Sequence, residues 1–547
     1  MSRSRPLKLF RDLQYADQIH NSMTDRFDGI VIGTGHNALV LQAYLCRAGL
    51  SVLSVDRAET PGGGLSTVEN PRHPGFLHNT HSFFHRAITA MPWYVDLELE
   101  RHGARYIEPE LNVAMICPDG VTLKWWTDLE RTLESVAGVS RRDADVLRGW
   151  IERFEPIVEQ LLIPEATSPP LPPQARREWL EGSDDGRLLL EVSARSPLEF
   201  VRSEFEDPVV RAGLLFFNGL REVDLRLKGF GHTIPALLAG RHKAQMCVGG
   251  SARLAEALLE DIVEHGGEVR CGVEIDGILV ERGRATGLAL EGGDRTEGVD
   301  FVVSGLNPQQ TLLELIDADG VSAEVRRRAE RFEYNLLAPL FALNLALSEP
   351  PQYTAAAADS DLDLAFMTIL GLCHDGQFEE IVAAHEQGRV PPAVMWGAVP
   401  TRFDPSQAPA GQHTAFMWEK VPYRLGGDAG SWDELGAEHG RVMLESWTTA
   451  APNLADVVID SFVGTPRDTV RSLPNMREGD LLVGAFGNDQ VGYHRPFPGA
   501  GHYRSGVEGL YLCGGSCHPG GNITGLCGYN AAGVVLGDLG REAWWTR

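Results

Sequence analysis

The sequence predicts an α/β fold with a parallel sheet, and three observations predict it. Near the start, a short apolar strand pattern runs into a glycine-rich turn, a helix and a second strand. Near the end, another apolar strand pattern runs into glycines and a helix of small residues. From about residue 249, strand and helix patterns alternate again. One sheet would therefore collect strands from distant parts of the chain.

The first segment has the form of a dinucleotide-binding unit. The β-branched run at 29–32 predicts a strand that is buried on both faces. Gly33 then permits a tight turn, and Gly35 lets a pyrophosphate approach the N-terminus of the following helix. Ala38 is small enough for close packing of this helix against the strand. The helix pattern runs from 37 to 48 and ends at a glycine.

The second strand pattern ends on an acid. Asp56 lies 21 residues after Gly35, at the spacing expected for an acceptor of ribose hydroxyl hydrogen bonds. Its carboxylate argues against a 2′-phosphate, and Arg57 beside it is a further predicted cofactor contact. Gly62 and Gly63 follow in a loop of exposed backbone amides. A flavin or nicotinamide dinucleotide is the predicted ligand, and a glycine turn without a ligand is the alternative.

Composition excludes several other classes of protein. The chain has 547 residues and a formal charge of −26, which disfavours attraction to nucleic acid or anionic lipid. No apolar run reaches roughly 18 residues, so at most peripheral membrane contact is expected. Eight scattered cysteines are typical of reduced thiols in a cytoplasmic protein. Residues 1–26 lack the apolar core of a secretory signal and are predicted to be a flexible leader.

The patterns divide the chain into two discontinuous domains. The dinucleotide domain is predicted at 27–100, 241–310 and 480–540, and a substrate domain with a helical cap at 101–240 and 311–479. Five features assign the second domain: helix patterns at 127–162 and 197–222, strand patterns at 335–348 and 412–420, and a helix followed by a strand at 436–462. Prolines between 164 and 173 predict a loop or lid.

The C-terminal glycines also point to a cofactor. A strand pattern at 509–513 leads into Gly514 and Gly515, then Gly520 and Gly521, before a helix predicted from 524 to 536. A helix N-terminus carries a partial positive charge of about half an elementary unit. Directed at the carbonyl edge of a flavin, it would favour the anionic reduced ring. The same helix end could instead simply cap a core helix, with no role in cofactor binding.

These segments together resemble the phytoene dehydrogenase-like FAD oxidoreductases, which include carotenoid desaturases, carotene isomerases and retinol saturase. The nearest likeness is to the branch called pyridine nucleotide-disulfide oxidoreductase domain-containing protein. It extends from about 27 to 540 and rests on GTGHNA, the triple-glycine loop and the segments 96–109, 248–258, 495–515 and 518–532. The resemblance implies a Rossmann-like FAD-binding domain of the discontinuous glutathione-reductase type.

The resemblance also implies roles for individual residues. Gly33, Gly35 and Ala38 would meet the pyrophosphate, and Asp56 the adenosine ribose. The other implied contacts are Gly62 and Gly63 with the pyrophosphate and ring side, the backbone of Val273 with adenine, and Gly514, Gly515, Gly520 and Gly521 with ribitol and flavin. Family members often have arginine where this chain has Gly64. One phosphate or flavin contact is therefore in doubt.

The implied reaction is hydride removal from a hydrophobic, isoprenoid-like or alicyclic substrate by FAD. Oxygen, a quinone or another protein would accept the electrons, and a second nicotinamide domain is not expected. An apolar tunnel would hold the substrate. Its walls are sought among Phe83, Phe84, Trp93, Leu214, Phe216, Phe217, Phe366 and Phe416, although such residues are equally typical of a core.

Histidines are the candidates for proton handling, with His81 and His518 first. His78, His81 and His85 stand at helical spacing but lack a carboxylate partner, so no metal is expected. Cys517 or a histidine could tether FAD covalently, and the sequence leaves this open. A flavin amine oxidase, an FAD-dependent double-bond isomerase and a cofactor-free lipid- or partner-binding protein are the alternative functions, and a homo-oligomer is left open.

Overall fold

The computed structural model describes residues 26–546, and for residues 217–222 it describes the backbone alone. The predicted leader, apart from Arg26, and the side chain of Phe217 lie outside the described part. No helix within residues 26–546 has the length and apolar character needed to cross a membrane. All eight cysteines are free thiols.

Twenty strands occur in the described chain. In chain order they are β1 (Gly29–Ile32), β2 (Val52–Asp56), β3 (Thr67–Glu69), β4 (Leu77–Asn79), β5 (His85–Arg86), β6 (Tyr106–Ile107), β7 (Leu111–Ile116), β8 (Thr122–Trp126), β9 (Ala244–Cys247), β10 (Glu268–Cys271), β11 (Ile275–Glu281), β12 (Arg284–Leu290), β13 (Arg295–Glu297), β14 (Phe301–Ser304), β15 (Leu340–Leu347), β16 (Met367–Leu370), β17 (Met395–Ala398), β18 (His413–Lys420), β19 (Val458–Gly464) and β20 (Leu510–Leu512).

The α-helices carry labels of their own. In chain order they are α1 (His36–Arg47), α2 (Pro92–Asp96), α3 (Leu129–Val139), α4 (Arg141–Ile157), α5 (Ile163–Ala166), α6 (Pro173–Glu181), α7 (Asp184–Ser193), α8 (Pro197–Glu204), α9 (Pro208–Glu222), α10 (Thr233–Ala239), α11 (Ala252–Glu264), α12 (Ala323–Glu330), α13 (Gly376–Glu386), α14 (Ser431–Ala450), α15 (Leu454–Val457), α16 (Pro466–Ser472) and α17 (Leu526–Asp538). Short 3₁₀ and π turns connect several of them.

The first sheet is parallel and has the strand order β10-β2-β1-β14-β20. Its central strand β1 pairs Ile30 with Leu53 on one side and with Val302 on the other, and all four β1 residues are buried. The predicted α/β fold and the buried strand at 29–32 are therefore confirmed. In a sheet of this kind, ligands bind beyond the carboxyl ends of the strands.

Helices cover one face of this sheet and a small antiparallel sheet covers the other. On the helical face, α17 lies so close to α1 that a Cβ atom on Gly528 would stand 1.9 Å from the Asn37 carbonyl oxygen. Small residues in α17 thus permit the contact. On the other face, the sheet β11-β12-β13 packs through Ile278 and Leu288 against Ile30.

The second sheet is larger and mixed, with the order β19-β15-β18-β17-β16-β7-β8. Strands β15 and β18 pair antiparallel over their full length, from Leu340 opposite Lys420 to Leu347 opposite His413. One face contributes to a core with the helices of 129–239, and the other packs against α14. Its strands all come from the segments assigned to the substrate domain. The domain boundaries themselves stay a prediction.

Two local expectations change. The segment containing His78 and His85 is not helical, because His78 lies in the strand β4 and His85 in the strand β5. The proline-rich segment 164–173 is only partly a loop, because Pro164 lies in α5 and Pro173 begins α6. Proline fits the first turn of a helix, where its missing N–H removes no intrahelical hydrogen bond.

Candidate active site

A cavity of ≈ 380 Å³ starts beyond the carboxyl ends of β1 and β2 and reaches the edge of the second sheet at β15 and β18. Most of the residues predicted to contact the cofactor line it: Gly33, Gly35, Ala38, Asp56, Arg57, Gly63, Val273, Gly514, Gly515 and Gly521. Gly62, Gly520 and His518 are not among its lining residues. Segments far apart in the chain therefore meet around one space.

The glycine turn leaves room for a phosphate group. Gly33 has φ +92°, which favours glycine. No atom lies within 4 Å of the position that a Cβ on Gly35 would take. Helix α1 starts directly after Gly35, and no side chain in the described part caps its N-terminus. Its first amides are therefore available to an anion in the cavity.

Asp56 stands at the end of β2 with a fixed orientation. Its Oδ2 accepts hydrogen bonds from the Thr34 amide and hydroxyl, both at 2.7 Å. Its Oδ1 accepts one from the Ala58 amide at 2.9 Å, which leaves acceptor capacity on the cavity side. Thr34 was not among the predicted residues. A hydroxyl residue between the two glycines of the turn is the signal that could have identified it.

Val273 is held next to this acid. Its amide donates to the Asp56 carbonyl oxygen at 2.9 Å. A contact with adenine through the backbone of Val273 would therefore have to use its carbonyl group.

The loop after β2 lies directly on the glycine turn. A Cβ on Gly63 would stand 3.2 Å from the Gly35 Cα atom, and the Gly62 amide donates to the Thr34 carbonyl at 2.9 Å. Gly62 packs instead toward α11, where a Cβ would lie 3.0 Å from that of Ala255. The loop thus approaches the glycine turn as closely as two backbone segments can.

The C-terminal glycines form the opposite wall. A Cβ on Gly514 would stand 2.3 Å from the Gly305 carbonyl oxygen, and one on Gly521 would stand 2.4 Å from that of Leu482. Helix α17 begins at Leu526, two residues later than predicted. Gly520 has φ +129° and lies against the Phe486 ring.

Arg495 holds this wall in place and was missed as a site residue. It is fully buried, and its guanidinium donates to the carbonyls of Gly515 at 2.9 Å, Ala485 at 3.0 Å and Cys517 at 3.2 Å. No carboxylate in the described part forms an ion pair with it. Because the loops it ties together carry Leu482 and Gly515 into the cavity, Arg495 sets their position.

Aromatic rings form the far end of the cavity. Phe83 and Phe84 line it together with Trp418. The Phe83 ring lies 5.2 Å from that of Phe366 and 5.1 Å from that of Phe416. The predicted aromatic wall is thus partly assembled, with Leu214 and Phe216 in the surrounding core.

Trp93 does not belong to this wall. Its indole N–H donates to the Thr524 carbonyl at 2.6 Å, and it lies beneath the residue that precedes α17. It therefore belongs to the core of the first domain.

The two candidate histidines lie in different places. His81 lines the cavity, with its Nδ1 3.0 Å from the Thr80 hydroxyl. Burial lowers the pKa of His81 to about 4, so its imidazole is neutral at physiological pH. His518 lies behind the wall, where its Nε2 donates to the Glu165 carbonyl at 2.9 Å. Burial lowers its pKa as well.

Two further groups bear on the chemistry. Lys420, at the end of β18, is buried, lines the cavity and donates to the Ala338 carbonyl at 3.2 Å; sequence reasoning missed it. Cys517, the candidate for a covalent tether, is buried but is not a lining residue, and burial raises the pKa of its thiol. No cluster of three or more histidine, cysteine or acidic side chains suited to a metal occurs within residues 26–546.

Comparison with known proteins decides the family. A sequence profile described as NAD(P)-binding Rossmann-like domain matches residues 31–92. One of the subunits of limonene dehydrogenase from Castellaniella defragrans is 30% identical over 95% of this chain and 96% of its own length. The chain belongs to the phytoene dehydrogenase-like family of FAD-dependent oxidoreductases.

Other members of this family match over nearly the whole chain. Pyridine nucleotide-disulfide oxidoreductase domain-containing protein 2 of Rattus norvegicus is 27% identical over 94% of both chains. Phytoene desaturase (neurosporene-forming) of Cereibacter sphaeroides is 23% identical over 95% of this chain and 96% of its own. The protein is therefore an FAD-dependent oxidoreductase.

Solved structures of flavin amine oxidases share the fold of this oxidoreductase. Putrescine oxidase bound to putrescine superimposes with a TM-score of 0.60 at 13% identity, over 94% of this chain and 100% of that one. Cyclohexylamine oxidase from Brevibacterium oxydans gives 0.57 at 15% identity, over 94% and 100% of the two chains. At such identities the likeness shows the fold alone.

The cavity of this oxidoreductase fits FAD. Open space at the Cβ position of Gly35 suits a phosphate, and the free acceptor capacity of Asp56 suits ribose hydroxyls. Gly63 lies so close to Gly35 that position 63 has no space for a side chain, and no side chain at this position obstructs the pyrophosphate. When bound, FAD supplies the hydride acceptor.

Proposed function

We propose that this oxidoreductase is a dehydrogenase or desaturase that removes a hydride from a C–H bond of an isoprenoid-like or alicyclic substrate. One observation carries the proposal: a single cavity connects the glycine turn of the dinucleotide domain with the ring cluster of Phe83, Phe84 and Trp418. Such a wall offers dispersion and burial to a hydrocarbon. Two relatives are named for limonene and phytoene, which are both hydrocarbons.

We assign the cofactor contacts by position in the cavity. Gly33, Gly35 and Ala38 would hold the pyrophosphate, and Asp56 the adenosine ribose. The remaining assignments are Arg57, Gly62, Gly63 and Val273 on the adenosine and pyrophosphate side, and Gly514, Gly515, Gly520 and Gly521 on the ribitol and flavin side. Gly62 and Gly520 would act by shaping the loops that carry their neighbours.

His81 is the residue that we propose for proton transfer. Formation of a double bond removes a hydride from one carbon and a proton from its neighbour. A neutral imidazole in the cavity can accept that proton, and the low pKa of His81 keeps it neutral above about pH 4. His518 faces Glu165 outside the cavity, so it would act only through the wall.

Anaerobic reduction of the purified protein tests the proposal. Oxidised flavin absorbs at about 375 and 450 nm, and the bands should bleach with hydrocarbons or apolar alcohols of terpene size. The wild type and H81Q should contain equal FAD, but H81Q should bleach more slowly. Retention of both bands with every apolar compound, while FAD is fully bound, would contradict the proposal.

The lining of the substrate end favours a hydrocarbon over a charged amine. The side chains of Phe83, Phe84, Leu340 and Trp418 at that end are apolar and offer burial to a hydrocarbon. Rapid peroxide formation from amines would overturn this preference. Isomerisation of a double bond without net oxidation would instead favour a role like that of the prolycopene isomerases, which are also relatives.

We further propose that a partner protein accepts the electrons, ahead of oxygen or a quinone. The limonene dehydrogenase relative is named as one subunit of its enzyme, which supports a multi-protein assembly. Slow reoxidation of the reduced flavin in air would agree with this proposal, whereas reoxidation within milliseconds would contradict it.

We place the protein in the reducing cytoplasm, supported by its eight free thiols.

A further inference from the structure

A second cavity, of ≈ 240 Å³, lies between the helical region and the second sheet. Its lining is mostly apolar and includes Trp125, Leu147, Ile151, Phe216, Leu238 and Met367, together with the polar side chains of Asn112, Thr127, Thr132 and Glu155. It shares no lining residue with the first cavity. The segment 83–86 separates the two spaces, since Phe84 lines the first cavity and Arg86 lines the second.

Basic side chains from 86 and 241–243 are among the residues that line this second cavity. Arg241 forms ion pairs with Glu155 at 3.2 Å and Glu159 at 3.4 Å, and His242 lies 3.7 Å from a carboxylate oxygen of Glu108. Lys243 differs from them. No carboxylate oxygen in the described chain lies within ion-pairing distance of its ammonium group.

The Lys243 ammonium has one N–H donor that is left for a ligand. It donates to the Gly240 carbonyl at 2.7 Å and the Leu238 carbonyl at 3.1 Å. An ammonium group has three N–H donors, so one remains for a ligand. Burial lowers the pKa of Lys243 to about 8, which leaves the group mostly protonated at pH 7. The ammonium group is half-buried, it interacts electrostatically with Glu108, and it forms no ion pair within the described residues, so a ligand carboxylate would be its first direct ionic partner.

We propose that the second cavity binds an amphipathic carboxylate, with its apolar chain between Leu147 and Phe216 and its carboxylate on Lys243. The apolar side chains account for the chain, and the Lys243 ammonium, which has no direct ionic partner in the described residues, accounts for the head group. The proposal goes beyond the dehydrogenase function, because binding at this place requires no flavin chemistry. An occupied second cavity would contact the short segment that also carries Phe83 and Phe84.

Calorimetric titration of the oxidised, FAD-loaded protein with decanoate and with 1-decanol at pH 7 tests the proposal. Decanoate should bind in a one-to-one ratio. K243M should weaken decanoate binding about tenfold or more and leave the weaker binding of 1-decanol unchanged. K243R, which keeps the charge, should retain most of the affinity.

Two further variants locate the site. K228M removes an exposed lysine that lies 3.5 Å from Glu199 and should leave both affinities unchanged. A239L fills part of the second cavity from the end of α10 and should weaken both ligands. Equal affinity of the wild type for decanoate and 1-decanol, equal losses in K243M and K243R, or no effect of A239L would each overturn the proposal. Flavin absorbance recorded alongside each titration separates any reduction by 1-decanol in the first cavity from binding in the second, so failure of the dehydrogenase proposal is detected separately.

Discussion

The two ends of the first cavity are built from different parts of the polypeptide. Next to β1, the walls are backbone: glycine turns, the first amides of α1 and loops that approach within van der Waals distance of one another. Next to β15 and β18, the walls are side chains such as Phe83, Trp418 and Lys420. In the proposed function, backbone amides would recognise a phosphate that is common to every dinucleotide, whereas side chains would select the substrate. The cofactor end should therefore tolerate change poorly, and the substrate end should respond with altered selectivity.

The largest expected effect is loss of FAD from G35L. Gly35 has φ −64°, which any residue adopts, and its Cβ position is open, so the fold should persist. The new side chain would occupy the phosphate space, and we expect at least about a hundredfold loss of FAD affinity. The ratio of flavin to protein absorbance measures it. G138L, at a glycine of α3 with open space at its Cβ position, is the matched control. Full FAD content in G35L would refute the backbone account of this end.

Removal of the Arg495 guanidinium should destabilise the wall that carries Gly515. Carbonyl groups that it now satisfies would be left buried without donors, and we expect R495M to lower the free energy of unfolding by about 3 kcal/mol or more. Urea unfolding of the FAD-loaded protein measures this change. R495K should recover part of the stability and of the flavin band near 450 nm, since it restores the charge. If R495M matches the wild type in both, Arg495 does not position the wall.

H81Q should lower the rate of flavin reduction about a hundredfold while FAD content stays the same. Because burial lowers the pKa of His81 to about 4, the neutral base is present throughout the range above that value. The wild-type rate of reduction should thus fall only as the pH drops toward 4, and it should show no step near 6.5. Stopped-flow absorbance at several pH values tests both statements. A step near 6.5 that H81Q abolishes would mean that His81 is more solvated than its position indicates.

F83L should have the smallest effect on chemistry and the clearest effect on selectivity. Phe83 contacts Phe366 and Phe416, so a smaller side chain should enlarge the substrate end and leave the cofactor end unchanged. We expect kcat/KM to shift by about tenfold toward bulkier substrates, with equal FAD content. Competition between two substrates of different size measures the ratio. A loss of FAD in F83L would show that the two ends are not separable.

The sequence alone predicted the cofactor end because its signals are local. A strand, a turn and a helix are contiguous in the chain, so the spacing from Gly33 to Asp56 already predicts which backbone amides and which carboxylate would meet a dinucleotide. The buried β-branched run at 29–32 likewise predicted β1 at its observed bounds. Thr34 was overlooked because its contribution is a pair of hydrogen bonds to Asp56, which spacing does not reveal.

Only the tertiary structure decided the substrate end. The segment after β4, the ends of β15 and β18 and the loops tied by Arg495 are separate stretches of the chain, and the tertiary fold brings them together around the cavity. Helical spacing misled the interpretation of His78, His81 and His85, because the segment forms short strands and turns. The separation of His81 from His518, the burial of Lys420, the position of Lys243 and the second cavity all arise from packing between distant elements. Such contacts leave no periodic trace in a single sequence, because each depends on a partner that the local pattern does not contain.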